Sequence, residues 1–283
     1  MSYLYLTIIV CAICLEQLLS KEYNTKTKAV NIPLFTAVSV FCSLLFFIAN
    51  SGGKLSFTAA LIPYALGFAA AFGTASATAI FAIKTGPLSV TALLSSYSLL
   101  IPTFYGILFL HDPVRPTLFI GLAALLISLF LINFKKNETL HFEPVWIVYV
   151  ILAFISNGMC STIQKMQQIR FDGGYKNEFM ILALAAVTAV LWILGLARPG
   201  NKGEMLRPCL KYGVIKGFAN GFMNYLVMVT SALLPNSVLF PSISAGGIVL
   251  TFICALVLYK EKLSVTQYIG YALGTASVVL LNL

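Results

Sequence analysis

The sequence predicts an all-α membrane protein with ten transmembrane helices, arranged as two inverted repeats of five helices each. Three observations lead to this prediction. Apolar residues make up 59% of the 283 positions. Ten apolar windows are each long enough to cross a bilayer. The second half of the chain repeats the pattern of the first half at an offset of 149 residues.

Charged residues are too scarce for a soluble protein of this length. Only 10% of residues are charged and the mean hydropathy is +0.93, whereas a soluble domain carries about a quarter charged residues. The natural solvent of the chain is therefore lipid. The net charge of +9 comes from Lys and Arg in the loops between apolar runs, where they flank a membrane. We therefore expect a lipid bilayer, and no nucleic acid, as a partner.

Apolar windows of about 18 to 25 residues define the predicted transmembrane helices. The predicted spans are 3–20, 32–50, 59–83, 87–110, 116–134, 145–164, 178–197, 209–232, 236–259 and 264–282. The connections between them are short, and no soluble domain fits anywhere. This lack of space argues against most classes of enzyme.

An internal repeat relates two predicted domains, 1–140 and 141–283. The aligned pairs are Asp112 with Glu261, Gly121 with Gly270, and Asn133 with Asn282. Each half holds five predicted helices, and because five is odd, the second half enters the membrane with the opposite orientation. Inverted repeats of this kind place the substrate path near the bilayer midplane, between the halves.

The helix count and the entry into the last helix, KEKLSVTQYIG, resemble the EamA-like branch of the drug/metabolite transporter superfamily. The first half has PLSVTALLSSYSLLIPTFYGILFLHD, a helix with a central Pro102 that ends at an acidic residue. His111 and Asp112 stand where related proteins have a Gly-Glu pair. The resemblance covers the whole chain. It implies that predicted helices 1–4 and 6–9 line the substrate path, while helices 5 and 10 pack outside.

Glu16, in the first predicted helix, is the candidate proton-coupling residue. An ionisable group in a transmembrane segment is costly and indicates function. Its position resembles that of the glutamate with which small multidrug resistance proteins bind protons and cations. A second interpretation stays open, in which Glu16 lies one turn from the helix end and reaches the interface. We expect Lys165, at the equivalent position of the second half, to extend to the interface.

Predicted helix 8 carries a polar stripe, Lys216, Asn220 and Asn224, with a spacing of four residues. Uncompensated amides in lipid are costly, so we expect this face to line a cavity and bind substrate, with Lys216 directed at an anionic group. The alternative is that the amides bond to a neighbouring helix. The other substrate-path candidates are Asn157, Ser95, Ser96, Tyr97 and Ser244.

Known nucleotide and catalytic motifs are missing from the sequence, including the Walker A, HExxH and GxSxG patterns. We therefore expect no enzyme activity, no cofactor and no metal site. The sequence predicts a secondary transporter of small organic solutes, such as amino acids, other metabolites or drugs. A proton or solute gradient would drive it in the plasma membrane, as a monomer or homodimer. The alternative is a non-transporting membrane scaffold or receptor-like protein.

The orientation of the chain in the membrane is open at the level of sequence. Lys and Arg are more numerous in the loops that follow odd-numbered predicted helices than in the other loops. By the positive-inside rule this pattern puts the termini outside the cytoplasm. The resemblance instead implies that both termini are cytoplasmic.

Overall fold

All regular structure in the described chain is helical. The structure is a computed structural model that describes residues 2–27, 31–85, 91, 94–133, 143–197, 202–257 and 264–282. The α-helices in these ranges are α1 (Ser2–Thr27), α2 (Ile32–Asn50), α3 (Ile62–Thr85), α4 (Leu100–Phe109), α5 (Pro116–Asn133), α6 (Pro144–Arg170), α7 (Lys176–Leu196), α8 (Lys202–Ser231), α9 (Asn236–Val257) and α10 (Val265–Asn282). Short 3-10 segments, Ala59–Leu61 and Tyr97–Leu99, precede α3 and α4. The prediction of an all-α chain is confirmed.

Five helical segments are long and apolar enough to cross a membrane, among the residues that the structure describes. They are Tyr3–Asn24, Ile32–Asn50, Ala59–Ala79, Pro144–Arg170 and Lys176–Leu196. Shorter apolar helices lie at Leu94–Phe109, Pro116–Ile132, Asn236–Leu250 and Val265–Leu281. These features agree with a membrane protein. The long helix α8 is not among the five, and charged residues are spread along its first half, from Lys202 to Lys216.

Helix starts follow local capping rules. Asn31 caps α2, because its Oδ1 accepts a hydrogen bond from the Leu34 N–H at 3.0 Å. Helices α5 and α6 each begin at a proline, which fits the first turn because proline has no N–H to satisfy there. Ser264 and Gln267 form a reciprocal capping box at the start of α10. These signals explain why the predicted starts of these helices lie within one residue of the observed ones.

Three helices extend well beyond their predicted spans, and this corrects the sequence-based view of Glu16. Helix α1 runs to Thr27 rather than to residue 20, α6 runs to Arg170, and α8 begins at Lys202. Hydropathy windows end where polar residues begin, but a helix can continue there. In α1 a Glu22–Lys26 ion pair spans the last turns. Glu16 therefore lies about three turns before the helix end.

The described chain forms two compact units, and each draws on both halves of the sequence. The first unit comprises Met1–Val10, Ala71–Ile163 and Leu233–Leu283. The second unit comprises Cys11–Ala70 and Gln164–Ala232. The repeat boundaries 1–140 and 141–283 stay a prediction. The aligned Glu261 lies outside the described residues.

Helices α5 and α10 pack closely and antiparallel in the first unit. A methyl group added at Gly121, near the start of α5, would come within 2.9 Å of Leu281 near the end of α10. A methyl group at Gly270, near the start of α10, would come within 2.9 Å of Ile132. Ser128 also donates a hydrogen bond to the Gly270 carbonyl at 2.7 Å. Leucines of α5 at Leu118, Leu122, Leu125 and Leu129 are buried in the adjoining core.

Helices α2 and α8 make the corresponding close contact in the second unit. It is lined on α8 by the glycine stripe Gly213, Gly217 and Gly221. At Gly217 an added methyl group would lie 2.2 Å from the Ser39 carbonyl oxygen. Because that obstacle is backbone, a larger residue at 217 forces the two helices apart. Small residues commonly allow such backbone approach in membranes.

We expect Gly217→Ala to destabilise the protein by about 1–3 kcal/mol, the usual cost of overpacking. The matched control is Gly73→Ala in α3, where an added methyl group meets nothing within 4 Å. Alanine is the better helix former by roughly 0.5–1 kcal/mol, so the control should be neutral or stabilising. Thermal unfolding of both purified variants in the same detergent measures the difference. Equal midpoints for the two variants would contradict the close approach of α2 and α8.

Candidate functional site

Glu16 is held inside the second unit by a hydrogen bond from α8. Asn220 Nδ2 donates to Glu16 Oε2 at 3.0 Å. The other carboxylate oxygen, Oε1, is buried and has no hydrogen-bond partner among the described residues. An unpartnered buried carboxylate oxygen is costly. It is therefore a place where a proton or a cationic group would be stabilised.

The two asparagines of the stripe belong to a hydrogen-bonded chain of side chains. Gln164 Nε2, on α6, donates to Asn224 Oδ1 at 2.9 Å. Asn224 Nδ2 donates to the backbone oxygen of Asn220 at 2.9 Å and to its Oδ1 at 3.2 Å. Ser43 Oγ, on α2, lies 3.2 Å from the same Oδ1 and 2.7 Å from the Gly217 carbonyl oxygen. The chain thus connects four helices and ends at Glu16.

A pocket of about 480 Å³ opens beside Glu16. It is lined by Glu16, Gln17, Ser20, Lys21 and Asn24 of α1 and by Lys216 of α8. The half-buried Lys216 ammonium lies 5.0 Å from the centre of the Phe35 ring, a cation–π arrangement. The opposite charges of Glu16 and Lys216 attract each other. The pocket therefore offers one acidic group, Glu16, and two basic groups, Lys21 and Lys216, to a ligand.

Of the predicted site residues, four come together in the second unit. Glu16 contacts Asn220, Asn220 contacts Asn224, and Lys216 lines the same pocket as Glu16. The asparagine amides bond to protein groups, as in the alternative considered for them. Their contact with substrate stays a prediction.

The remaining candidates lie in the first unit. Asn157 is exposed, and its Nδ2 donates to Ser98 Oγ at 2.7 Å and to the Ser95 carbonyl at 3.5 Å. Tyr97 donates to the Leu126 carbonyl at 2.8 Å. Ser96 and Ser244 are half-buried, in α-helical turns before α4 and within α9. The roles of these residues in a substrate path stay predictions.

Lys165 is not the interfacial lysine that the sequence suggested. Only 9% of the residue is exposed, and its ammonium donates to the Ser231 carbonyl at the end of α8. Because α6 continues to Arg170, position 165 lies inside the helix rather than at its end. The last carbonyls of a helix lack internal partners and carry partial negative charge, so they satisfy a buried ammonium.

Sequence reasoning missed Ser43 and Gln164, which complete the hydrogen-bonded chain. Gln164 closed the predicted sixth span and was overlooked beside Lys165. The signal was present, because Gln164, Lys165, Gln167 and Gln168 make an unusually polar end to an apolar helix. All four are buried. Such a polar run requires protein partners when its helix lies in a membrane.

Metal and disulfide chemistry find no support in the described part of the chain. No three His, Cys, Asp or Glu side chains there are grouped as metal ligands. The six cysteines are free thiols. The chemistry available at the site is therefore that of a carboxylate, an ammonium and neutral amides.

Comparison with known proteins shows the fold and no more. No protein-family model and no curated protein sequence matches this chain. A solved crystal structure, described only as that of a protein, is similar with a TM-score of 0.78 and 17% sequence identity. The similarity covers 99% of this chain and 98% of the other.

We expect Asn220→Ala to lower the free energy of unfolding by about 1–3 kcal/mol, because it removes the donor to a buried carboxylate. Asn157→Ala is the matched control, since that amide is exposed and its loss should cost less than about 1 kcal/mol. Denaturation of both variants in mixed detergent micelles provides the measurement. If the two substitutions cost the same, the hydrogen bond from Asn220 to Glu16 does not stabilise the folded protein.

Proposed function

We propose that this chain is a secondary transporter of small organic solutes, coupled to a proton or solute gradient through Glu16. The observation that carries the proposal is the unpartnered Glu16 Oε1, buried on a helix apolar enough to cross a membrane. An ionisable side chain in such a helix is costly and normally pairs with other protein groups. A carboxylate oxygen left open beside a pocket is suited to binding and releasing a cation.

The chemistry of the pocket supports this function. A proton on Glu16 Oε1 would neutralise the carboxylate while Asn220 keeps its bond to Oε2. Lys216, on the facing helix, would attract an anionic group such as a carboxylate. The amides of Asn220 and Asn224 would give up hydrogen bonds to protein groups and form hydrogen bonds to the substrate instead. The proton and the solute would then bind in the same small polar region, either in competition or together.

The packing of α5 and α10 supports an inverted-repeat architecture. Shifted by 149 residues, Gly121 becomes Gly270 and Ile132 becomes Leu281. The contact of Gly121 with Leu281 therefore maps onto the contact of Gly270 with Ile132. Two helices that exchange roles in this way are related by a local two-fold axis. Ser128 and its equivalent Ser277 are both fully buried, in agreement with this relation.

The composition of the two units points in the same direction. Residues 11–70, shifted by 149 positions, become 160–219, which overlaps the other segment of the second unit, 164–232, over residues 164–219. Residues 233–283, shifted back, become 84–134, which lies within the first unit's segment 71–163. Each unit thus combines repeat-equivalent segments. We therefore propose ten spans in two inverted repeats, an EamA-like arrangement, with α5 and α10 outside the path.

A plasma-membrane location and a monomeric or homodimeric state belong to the same proposal. The alternative, a non-transporting scaffold, is favoured by one observation, that the asparagine amides bond to protein groups. A scaffold does not require a carboxylate oxygen without a hydrogen-bond partner at Glu16. Transport assays therefore separate the two functions.

We expect Glu16→Gln to abolish gradient-driven accumulation of solute, because glutamine keeps the size and hydrogen bonding of the side chain but cannot titrate. The assay is uptake by proteoliposomes of a panel of radiolabelled amino acids, metabolites and organic cations, with and without a pH gradient. Solute exchange without a gradient can survive in this variant.

Glu178→Gln is the matched control. Glu178 is also buried in the second unit, but its Oε1 accepts the Ser56 N–H at 3.1 Å, and a glutamine oxygen can accept the same bond. This variant should keep gradient-driven accumulation. Unchanged gradient-driven accumulation in Glu16→Gln would remove Glu16 from the coupling role, and no uptake of any solute by the wild type would favour the scaffold.

A further inference from the structure

Gln164 occupies the end of the hydrogen-bonded chain that lies farthest from Glu16. The residue is 4% exposed. Its Nε2 donates to Asn224 Oδ1 at 2.9 Å and lies 4.0 Å from Met180 Sδ. A thioether sulfur can accept a hydrogen bond but cannot donate one. The two neighbours of Nε2 are therefore both acceptors, and the orientation of the Gln164 amide is fixed.

The amide of Gln164 donates in the same direction as every bond that follows. Asn224 Oδ1 accepts from Gln164, and Asn224 Nδ2 donates to the Asn220 backbone oxygen at 2.9 Å and to Asn220 Oδ1 at 3.2 Å. Asn220 Oδ1 then accepts, which leaves Asn220 Nδ2 for Glu16. Reversing any one amide would put two donors or two acceptors face to face. The series of amides that donate toward the carboxylate thus begins two side chains away, at Gln164.

On the basis of the proposed coupling role of Glu16, we propose that Gln164 is a positioning residue whose hydrogen bond strengthens the amide chain in the direction that favours the ionised form of Glu16. A donor directed at a carboxylate stabilises its charged form. Successive hydrogen bonds in a low-dielectric interior polarise and strengthen one another. Gln164 acts through Asn224 and Asn220 and does not itself contact Glu16.

The charged groups around Glu16 are unaffected by a change at Gln164. Lys21 of α1 and Lys216 of α8 line the same pocket as Glu16. On α6 the nearest charged group in sequence is Lys165, next to Gln164 itself. Helix α2 carries no charged side chain, and its one titratable group is the Cys42 thiol. A neutral substitution at Gln164 therefore tests the hydrogen-bonded chain and not the local charge.

The experiment follows protonation of Glu16 without any need for transport. Full-length protein in lipid nanodiscs is treated with dicyclohexylcarbodiimide, which modifies protonated carboxyl groups in apolar surroundings. Mass spectrometry then gives the labelled fraction at Glu16 across a pH series, with Glu16→Gln as the control for assignment. We expect Gln164→Met to move the labelling midpoint to higher pH by roughly half a unit, about threefold in proton affinity.

Gln168→Met is the matched control and should leave the midpoint in place. Gln168 is on the same helix and is 2% exposed, but it donates to Gln167 and not to Asn224. In an Asn220→Leu background, where the chain is cut next to Glu16, Gln164→Met should produce no further shift.

Three results would overturn the proposal. They are an unmoved midpoint in Gln164→Met with only a lower thermal stability, equal shifts in the two glutamine variants, or additive shifts in the double variant. Failure of every solute in the uptake assay would overturn the transport function instead, and it would leave the labelling result intact.

Discussion

The hydrogen bond from Asn220 to Glu16 is the interaction on which the polar interior of the second unit depends. A bilayer offers no water to a carboxylate or an amide, so each polar group on a spanning helix must find a protein partner. Asn220 Nδ2 donates a hydrogen bond to one oxygen of Glu16. Asn220 Oδ1 accepts a hydrogen bond from Asn224 Nδ2 and lies within hydrogen-bonding distance of Ser43 Oγ. Removing the Asn220 amide would leave Glu16 Oε2 without its donor, while Asn224 and Ser43 would keep their bonds to the backbone oxygens of Asn220 and Gly217.

Close packing of α2 against α8 makes this hydrogen bonding possible. Gly217 has no side chain to separate its backbone from α2, so Ser43 reaches both the Gly217 carbonyl and the Asn220 amide. Glycines and asparagines alternate along the same helix for this reason. The glycines set the distance between backbones, and the asparagines occupy the polar positions that this distance brings within hydrogen-bonding range.

The length of the apolar windows predicted the positions of the helices well. The predicted ends were inaccurate where a helix continues into polar sequence. The span of α2 was predicted without error because Asn31 and Pro33 fix its start. Helices α1, α6 and α8 were predicted too short, since hydropathy does not register a helix that continues into polar sequence. The same error placed Glu16 and Lys165 at helix ends. Asn220 and Asn224 were found by their spacing, whereas Ser43 and Gln164 required knowledge of which helices are neighbours.

The proposed coupling role requires that Glu16 changes its protonation state while the protein stays folded. Infrared difference spectroscopy of the protein in lipid, between acidic and alkaline pH, observes this change directly through the carbonyl stretch of a protonated carboxyl group. If Glu16 titrates in the folded protein, a protonated-carboxyl band disappears as pH rises and is missing from the Glu16→Gln difference spectrum. Identical difference spectra for wild type and Glu16→Gln would contradict the account, because Glu16 would then not titrate in the folded protein.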